Sequence, residues 1–242
     1  MKIISICSGK GGVGKTTIAA NLAMALTMMN RKTAVVDFNL TTPHLGLSLG
    51  CYAGSRTLNS YLRGEAGPGE IIFTHPSGLK VVPASLELNS LANMETENIG
   101  DSLRKALQDF DYIILDSAPG IGREALLALA ACDEAVFVAN PYIFSAVDVL
   151  KAKSLAERLG FRNAGIVVNR VRGKRYELRI GEIMGFTELP VLAVVPEDEA
   201  IQKCANFCAL PVIEYPKSKA SRAIMGLASA IAGQWQYGKR FF

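Results

Sequence analysis

The chain has 242 residues, half of them hydrophobic, and a formal net charge of +4. This length allows one large α/β domain with a buried core, and so mild a charge does not by itself indicate a nucleic-acid-binding protein. The N-terminus lacks the long apolar segment of a secretory signal, and no apolar run is long enough for a transmembrane helix, so we expect a cytoplasmic protein.

Seven apolar runs predict strands, at 2–7, 33–37, 79–84, 111–116, 134–140, 164–169 and 191–196. Helical patterns lie between them, at 15–29, 97–110, 123–131, 146–160 and 219–233. This alternation predicts a doubly wound, mostly parallel sheet with helices on both faces, and ligands of such sheets bind at the carboxyl ends of the strands. We predict one domain over residues 1–234 and a short tail over 235–242.

Residues 9–18 read GKGGVGKTTI, in which Gly9, Gly14, Lys15 and Thr16 have the spacing of a phosphate-binding loop. The segment joins a predicted strand to a predicted helix, so backbone N–H groups and the helix dipole converge on phosphate oxygens. Lys15 is predicted to reach the terminal phosphates, and the Thr16 hydroxyl to ligate Mg²⁺. The alternative is a chance glycine-rich turn. The predicted nucleotide contacts here are Gly9, Lys10, Gly11, Gly12, Val13, Gly14, Lys15, Thr16 and Thr17.

A second lysine, Lys10, directly follows the first glycine, and the loop already has Lys15 for its own phosphates. The stretch KGGVGKTT (10–17) resembles the deviant Walker A motif of the MinD/ParA P-loop ATPases, closest to the MinD-like members. The resemblance implies ATP and Mg²⁺ as cofactors and a face-to-face homodimer that forms when ATP is bound. It also implies that Lys10 contacts the nucleotide of the partner subunit and stabilises charge there. The alternative is a solvated loop charge.

Further segments carry the same resemblance in the same order. The stretch DSAPG (116–120) is similar to the Walker B and switch II segment of the family, which implies a Mg²⁺-bound water at Asp116. The stretches VVNR (167–170) and VPEDEAIQKC (195–204) resemble the segments that surround the adenine, and 140–148 resembles the helix that meets partner proteins. The residues so implied are Ser117, Ala118, Pro119 and Gly120 in switch II, Asn169, Arg170, Pro196, Glu197 and Asp198 at the base, and Asn140, Pro141 and Asp148 at the partner interface.

The chain departs from the family after its second predicted strand. The family usually has Asp-x-Asp there, and this chain reads DFNLTTPHLGL (37–47), so Asp37 is kept for Mg²⁺ and Asn39 replaces the water-activating acid. An amide hydrogen-bonds a water but cannot take its proton, so we expect slow hydrolysis. The predicted catalytic residues are Lys10, Lys15 and Asn39. His44 either donates to phosphate or water or is a surface histidine, and we favour the surface interpretation.

Two clusters leave alternatives open. The C-terminal aromatic and basic residues suit a membrane interface, and a packed or frayed tail is the alternative. These residues are Trp235, Tyr237, Lys239, Arg240, Phe241 and Phe242. The segment 169–179 has five basic residues, which either grip DNA phosphates, as in ParA relatives, or form a solvated face.

The five cysteines form no CxxC pair, and Cys204 and Cys208, one helical turn apart, supply too few ligands for a metal, so we expect reduced thiols. The resemblance therefore implies a MinD-like ATPase switch that positions or regulates partner proteins. A DNA-associated partition ATPase is the first alternative. An iron–sulfur scaffold ATPase and a synthetase of the dethiobiotin or cobyrinate type are less favoured.

Overall fold

A computed structural model describes residues 1–51, 56–87, 98–158 and 160–233. Its strands form one sheet in the order β3-β4-β2-β5-β1-β6-β7-β8. They are β1 (Lys2–Cys7), β2 (Thr33–Phe38), β3 (Phe73–Thr74), β4 (Lys80–Val82), β5 (Tyr112–Ser117), β6 (Glu134–Ala139), β7 (Asn163–Val171) and β8 (Val191–Pro196). Every neighbouring pair is parallel except β3 and β4, so the predicted mostly parallel sheet is confirmed.

Helices cover both faces of the sheet. They are α1 (Lys15–Met28), α2 (Leu45–Ser48), α3 (Leu58–Leu62), α4 (Ile99–Ala106), α5 (Arg123–Ala131), α6 (Ile143–Arg158), α7 (Ile180–Thr187), α8 (Glu199–Ala205), α9 (Pro211–Glu214) and α10 (Lys219–Ile231), with a 3₁₀ helix at Pro68–Ile71. None of the described helices is both long and apolar enough to cross a bilayer.

The central strands are buried on both sides, which explains their continuous apolar sequences. In β1, Ile4 and Ile6 pack into the cluster that also contains residues of α1 and α10. Ile3 points to the opposite face and packs with Leu103 of α4 and Ala128 of α5. Successive side chains of one strand therefore anchor helices on opposite faces, as strand geometry requires.

The predicted helix over 97–110 is too long at both ends. Its described part begins after Asn98, whose φ of +58° is left-handed and cannot continue a helix, and it ends at Ala106. Residue 97 lies outside the described residues. The helix predicted over 146–160 begins earlier, at Ile143. The sequence patterns also missed the two-residue edge strand β3 and the short helices α2, α3, α7, α8 and α9, because segments this short have too few turns for a period to show.

Parallel pairing of β1, β2 and β5 brings several predicted site residues together. Asp37 of β2 lies directly opposite Asp116 of β5, and Ile6 of β1 pairs with that same aspartate. The loop after β1 therefore begins beside the two carboxylates. Predicted residues that are some eighty positions apart in sequence meet at the carboxyl ends of the three central strands.

Gly165 in β7 provides a test of packing in this sheet. Its φ is +151°, and a Cβ there would lie 2.5 Å from the Pro190 carbonyl oxygen and 2.7 Å from Leu192 Cγ. We predict that Gly165→Ala destabilises the protein by about 2–4 kcal/mol, because strain and overpacking add. Urea denaturation measures this change.

Gly181 in α7 is the matched control, because a Cβ there meets no atom within 4 Å. Gly181→Ala should stabilise the protein by about 0.5–1 kcal/mol, since alanine is the better helix former. Equal urea-denaturation midpoints for the two variants would contradict the tight packing assigned to Gly165.

Candidate functional site

Two glycines let the loop between β1 and α1 pack against distant elements. Gly14 has φ +100°, and a Cβ there would lie 2.3 Å from Asn169 Nδ2 at the end of β7. A Cβ on Gly9 would lie 2.3 Å from Asp148 Cβ on α6. Larger residues at these two positions would push the loop away from β7 and α6, so the tight loop predicted from the spacing is also a packing requirement.

The two loop lysines have opposite environments. Lys15 is only 7% exposed, and burial lowers its pKa while the neighbouring Asp116 carboxylate raises it. Lys10 is exposed and forms no ion pair with any described residue. The Ser8 hydroxyl donates to the Lys10 carbonyl over 2.7 Å and fixes the backbone there. The structure thus separates an inward-facing lysine from an outward-facing one.

Asp37 and Asp116 form a pair of buried carboxyl groups, 0% and 2% exposed. Burial raises the pKa of both, and for Asp37 the charge of Asp116 raises it further. A hydrogen bond from Thr16 and the charge of Lys15 oppose the shift at Asp116, and the charge of His44 does so to a lesser extent. His44 itself is exposed.

The pair fits a divalent cation. Asp116 Oδ1 is buried and has no hydrogen-bond partner within the described ranges, and an unsatisfied buried carboxylate oxygen is costly. Hard cations such as Mg²⁺ prefer oxygen ligands. The predicted ligands Thr16, Asp37 and Asp116 therefore lie together. The Thr16 hydroxyl bonds to Asp116, and Asp37 lies opposite Asp116 on the neighbouring strand. Mg²⁺ bound here would neutralise charge on phosphate oxygens.

Asn39 is held by its own loop. Its Nδ2 donates to the Thr42 carbonyl over 2.5 Å, and the Thr42 hydroxyl donates to Asn39 Oδ1 over 3.2 Å. The backbone N–H groups of Asn39 and Leu45 donate to the two Asp37 oxygens, over 3.2 and 2.9 Å. Both polar atoms of the Asn39 side chain are therefore engaged, and the segment 39–45 is closed around Asp37.

The predicted switch II segment is hydrogen-bonded to β1 and the loop. The Ser117 hydroxyl donates to the Ile6 carbonyl over 2.8 Å, and the Gly120 N–H donates to the Ser8 carbonyl over 2.9 Å. Gly120 has φ +82°, which a side chain would strain. Ala118 is buried, and Pro119 lies beside Gly11. The segment is thus held against the phosphate loop.

A cavity of about 160 Å³ opens beside the loop. Its lining consists of Gly14, Thr17, Asn169, Arg170, Pro196, Glu197, Asp198, Ile201 and Gln202. Asn169 Nδ2 donates to the Val13 carbonyl over 2.8 Å, and Asn169 Oδ1 is buried without a described partner. A free acceptor of this kind suits the exocyclic amine of a base. All five residues predicted to surround the adenine therefore line one cavity.

Two of these residues have additional structural partners. The Asp198 carboxylate accepts hydrogen bonds from the Ala200 and Ala220 N–H groups, each over 3.0 Å, and so caps α8 and the start of α10. Glu197 pairs with Arg172, whose Nη2 lies 2.9 Å from Glu197 Oε1. Sequence reasoning placed Arg172 only in a basic segment. Its partner is 25 residues away, and no local pattern indicates the pair.

The predicted partner-interface residues face inward in part. Asn140 Nδ2 donates to the Asn169 carbonyl over 3.1 Å, and Pro141 is buried. The solvent-facing residues of the same region are apolar, namely Ile143, Phe144 (76% exposed) and Val147. The partner contact assigned to Asn140, Pro141 and Asp148 stays a prediction, and the exposed apolar residues of α6 were missed because periodicity does not show which side lacks a neighbour.

Sequence reasoning also missed a contact between the segment 39–45 and α5. The Thr41 hydroxyl donates to Glu124 Oε1, and the Thr41 N–H donates to Glu124 Oε2 over 3.3 Å. These residues are 83 positions apart. Glu124 lies in the first turn of α5, directly after switch II, where a glutamate is common for reasons of helix stability alone.

Three further clusters were singled out in the sequence, namely the basic segment 169–179, the pair Cys204 and Cys208, and the C-terminal tail. In the basic segment 169–179, Arg172 is already paired, and Arg170, Lys174 and Arg175 are exposed. Cys204 is buried and Cys208 half-buried, and the described residues contain no group of three or more His, Cys, Asp or Glu side chains that could hold a metal. The tail residues from Trp235 to Phe242 lie outside the described residues, so membrane contact stays a prediction.

Comparison with known proteins identifies the family of the chain. The profile of the ParA family, described as NUBPL iron-transfer P-loop NTPase, matches residues 1–232. An uncharacterized ATP-binding protein of Methanocaldococcus jannaschii is 40% identical over 95% of this chain and 87% of its own length.

Two solved structures resemble the chain over nearly its whole length. MinD of Pyrococcus horikoshii, complexed with Mg-ADP, has a TM-score of 0.89, 30% identity and 95% coverage of both chains. A MinC:MinD cell division protein complex of Aquifex aeolicus matches with a TM-score of 0.87, 26% identity and full coverage of both chains. Together with the loop and the paired carboxylates, these matches show that the chain belongs to the MinD/ParA family of P-loop NTPases.

Proposed function

We propose that this protein is a MinD-like ATPase switch. ATP and Mg²⁺ bind at the loop, close a sandwich homodimer and so create a surface for a regulatory or cargo protein. Hydrolysis is slow and reopens the dimer. The observation that carries the proposal is the buried Asp116 oxygen, which has no hydrogen-bond partner among the described residues and lies beside Thr16 and Lys15 at the start of α1. A divalent cation would satisfy this oxygen, and the cation together with Lys15 would balance the charge of a bound phosphate.

The environment of Lys10 supports the dimer. A lysine that is exposed and unpaired among the described residues, in a loop whose other lysine is buried, is free to reach a phosphate outside its own subunit. MinD of Pyrococcus horikoshii binds Mg-ADP, and MinD of Aquifex aeolicus forms a complex with MinC. These relatives support the proposal that this protein binds a nucleotide and a partner protein. Membrane contact through the tail and slow turnover are parts of the proposal that rest on the sequence.

Iron transfer, named in the family profile, is the second candidate. An iron–sulfur scaffold needs paired cysteines at a dimer face, and this sequence has no CxxC pair. Three of its five cysteines, Cys7, Cys51 and Cys204, are also buried in the fold. We therefore prefer the switch.

The first prediction concerns nucleotide binding. Lys15→Ala should weaken ATP binding about 100-fold, because the terminal phosphates would lose their main buried counter-charge. Isothermal titration measures the affinity. Lys32→Ala, which removes an exposed lysine far from the loop in sequence, is the control and should bind ATP as wild type does. Equal affinities for all three proteins would remove Lys15 from this role.

The second prediction concerns the dimer. Wild-type protein should shift from monomer to dimer with ATP and Mg²⁺ in light scattering, and Lys10→Ala should bind ATP but stay monomeric. The reason is that Lys10 has no phosphate to contact within its own subunit under this proposal. A Lys10→Ala protein that dimerises as readily as wild type would show that the lysine does not act across an interface.

The third prediction concerns Asn39. Asn39→Asp should accelerate single-turnover hydrolysis at least about tenfold, since a carboxylate accepts the proton of the attacking water and general-base contributions are typically about 10²–10⁴-fold. The substitution also removes the amide that donates to the Thr42 carbonyl. Asp37→Asn is the control for Mg²⁺ support and should slow turnover. Fast wild-type hydrolysis that does not respond to changes at position 39 would mean that another group positions the water.

A further inference from the structure

The segment 39–45 is closed by three sets of contacts. The Asp37 carboxylate accepts hydrogen bonds from backbone N–H groups at both ends of the segment. The Asn39 side chain makes two hydrogen bonds to Thr42, and Thr41 makes two hydrogen bonds to Glu124. The first two sets lie within the segment and its strand. The third is the one that fastens the segment to another element, and this element begins where switch II ends.

In this arrangement both polar atoms of the Asn39 side chain are bonded to Thr42, which fixes the orientation of the amide and leaves each atom only one further hydrogen bond. Its Oδ1 accepts from the Thr42 hydroxyl and its Nδ2 donates to the Thr42 carbonyl. Thr41 lies between these two residues, so a segment that moves Thr42 away from Asn39 must also move Thr41 relative to Glu124. Release of the Asn39 amide and release of the Glu124 contact are therefore mechanically linked.

We propose that Glu124 is a positioning residue that holds the segment 39–45 closed and thereby limits ATP hydrolysis. It acts through Thr41 on Asn39. This inference rests on the proposed function, because it concerns the hydrolysis step of that site. The closed segment is the resting state, and turnover requires an open state in which the Thr41–Glu124 contact is broken.

The direction of the effect follows from population shift. A contact that is present only in the closed state favours that state, so its removal raises the open population by the same factor. Net contributions of single hydrogen bonds to a partly exposed carboxylate correspond to about three- to tenfold in such an equilibrium. Glu124 is half-buried and Thr41 exposed, which places the expected effect in that range.

Glu124 also has the ordinary role of an acidic residue in a first helical turn, and this role must be separated from the proposed one. Glu182 offers the comparison within the same chain. It lies in the first turn of α7, accepts the Arg179 N–H over 2.7 Å, and makes no hydrogen bond to the segment 39–45 in the part of the chain that the structure describes. A loss of helix stability should appear in Glu182→Gln as well, whereas a loss of the closed segment should not.

The experiment uses the full chain and four variants. Glu124→Gln and Thr41→Val weaken the contact, Thr41→Ser keeps the hydroxyl, and Glu182→Gln is the matched control. Hydrogen exchange of the amides of 39–45 is measured in nucleotide-free protein, and kcat and KM for ATP are measured with Mg²⁺. Thermal denaturation of each variant confirms that it is folded.

We expect exchange at 39–45 to be about three- to tenfold faster in Glu124→Gln and Thr41→Val, with kcat raised by a similar factor and KM nearly unchanged. Thr41→Ser and Glu182→Gln should behave as wild type. The double variant Thr41→Val/Glu124→Gln should gain little over either single variant, because both substitutions weaken the same contact.

Unchanged exchange in both weakened variants overturns the proposal, and so does faster exchange without a rise in kcat. A Glu182→Gln protein that changes as much as Glu124→Gln also overturns it, since helix stability would then explain the effect. If wild type and all variants bind ATP but hydrolyse none, the proposed ATPase function fails. The exchange data then still decide separately whether Glu124 closes the segment.

Discussion

The structure is organised around two carboxyl groups that the sheet buries side by side. Parallel pairing of β2 and β5 places Asp37 opposite Asp116, and both residues are buried at the C-terminal ends of these strands. Burial and mutual repulsion raise the pKa of Asp37, so the fold must compensate both groups or leave them protonated. Backbone N–H groups of Asn39 and Leu45 compensate Asp37, and Thr16 and Lys15 compensate Asp116 in part. One Asp116 oxygen has no hydrogen-bond partner in the described part of the chain, and a cation bound there would complete the arrangement.

This constraint also shapes the neighbouring segments. Because Asp37 is satisfied by the backbone of 39–45, that segment closes over the strand end and holds Asn39 against Thr42. Switch II leaves the adjacent strand and is fixed to β1 and to the loop through Ser117 and Gly120. The two segments then meet at α5 through Thr41 and Glu124. These hydrogen bonds connect the segment 39–45, switch II, α5 and the phosphate loop in one network.

The base cavity depends on close approach of backbones. Gly14 and Asn169 come so near that a side chain on the glycine would collide with the amide, and Gly9 stands equally close to Asp148. The Asn169 side-chain amide then joins the loop to β7, and its oxygen accepts no hydrogen bond from any described residue. The phosphate loop, the end of β7 and the loop before α8 therefore line one cavity together, and Asp198 caps two helices beside it.

The sequence by itself determined the sheet class, the seven longer strands, the spacing of the phosphate loop, and which polar residues follow the strands at the candidate site. These features are set by local patterns, namely apolar runs, glycine spacing and an acid or amide directly after a strand. The order of the sheet, the register of Asp37 with Asp116 and the inward direction of Asn140 were decided by tertiary structure. The same holds for the Arg172–Glu197 and Thr41–Glu124 pairs. Such contacts join residues far apart in the chain, and their energy depends on distance and burial, which a linear pattern does not contain.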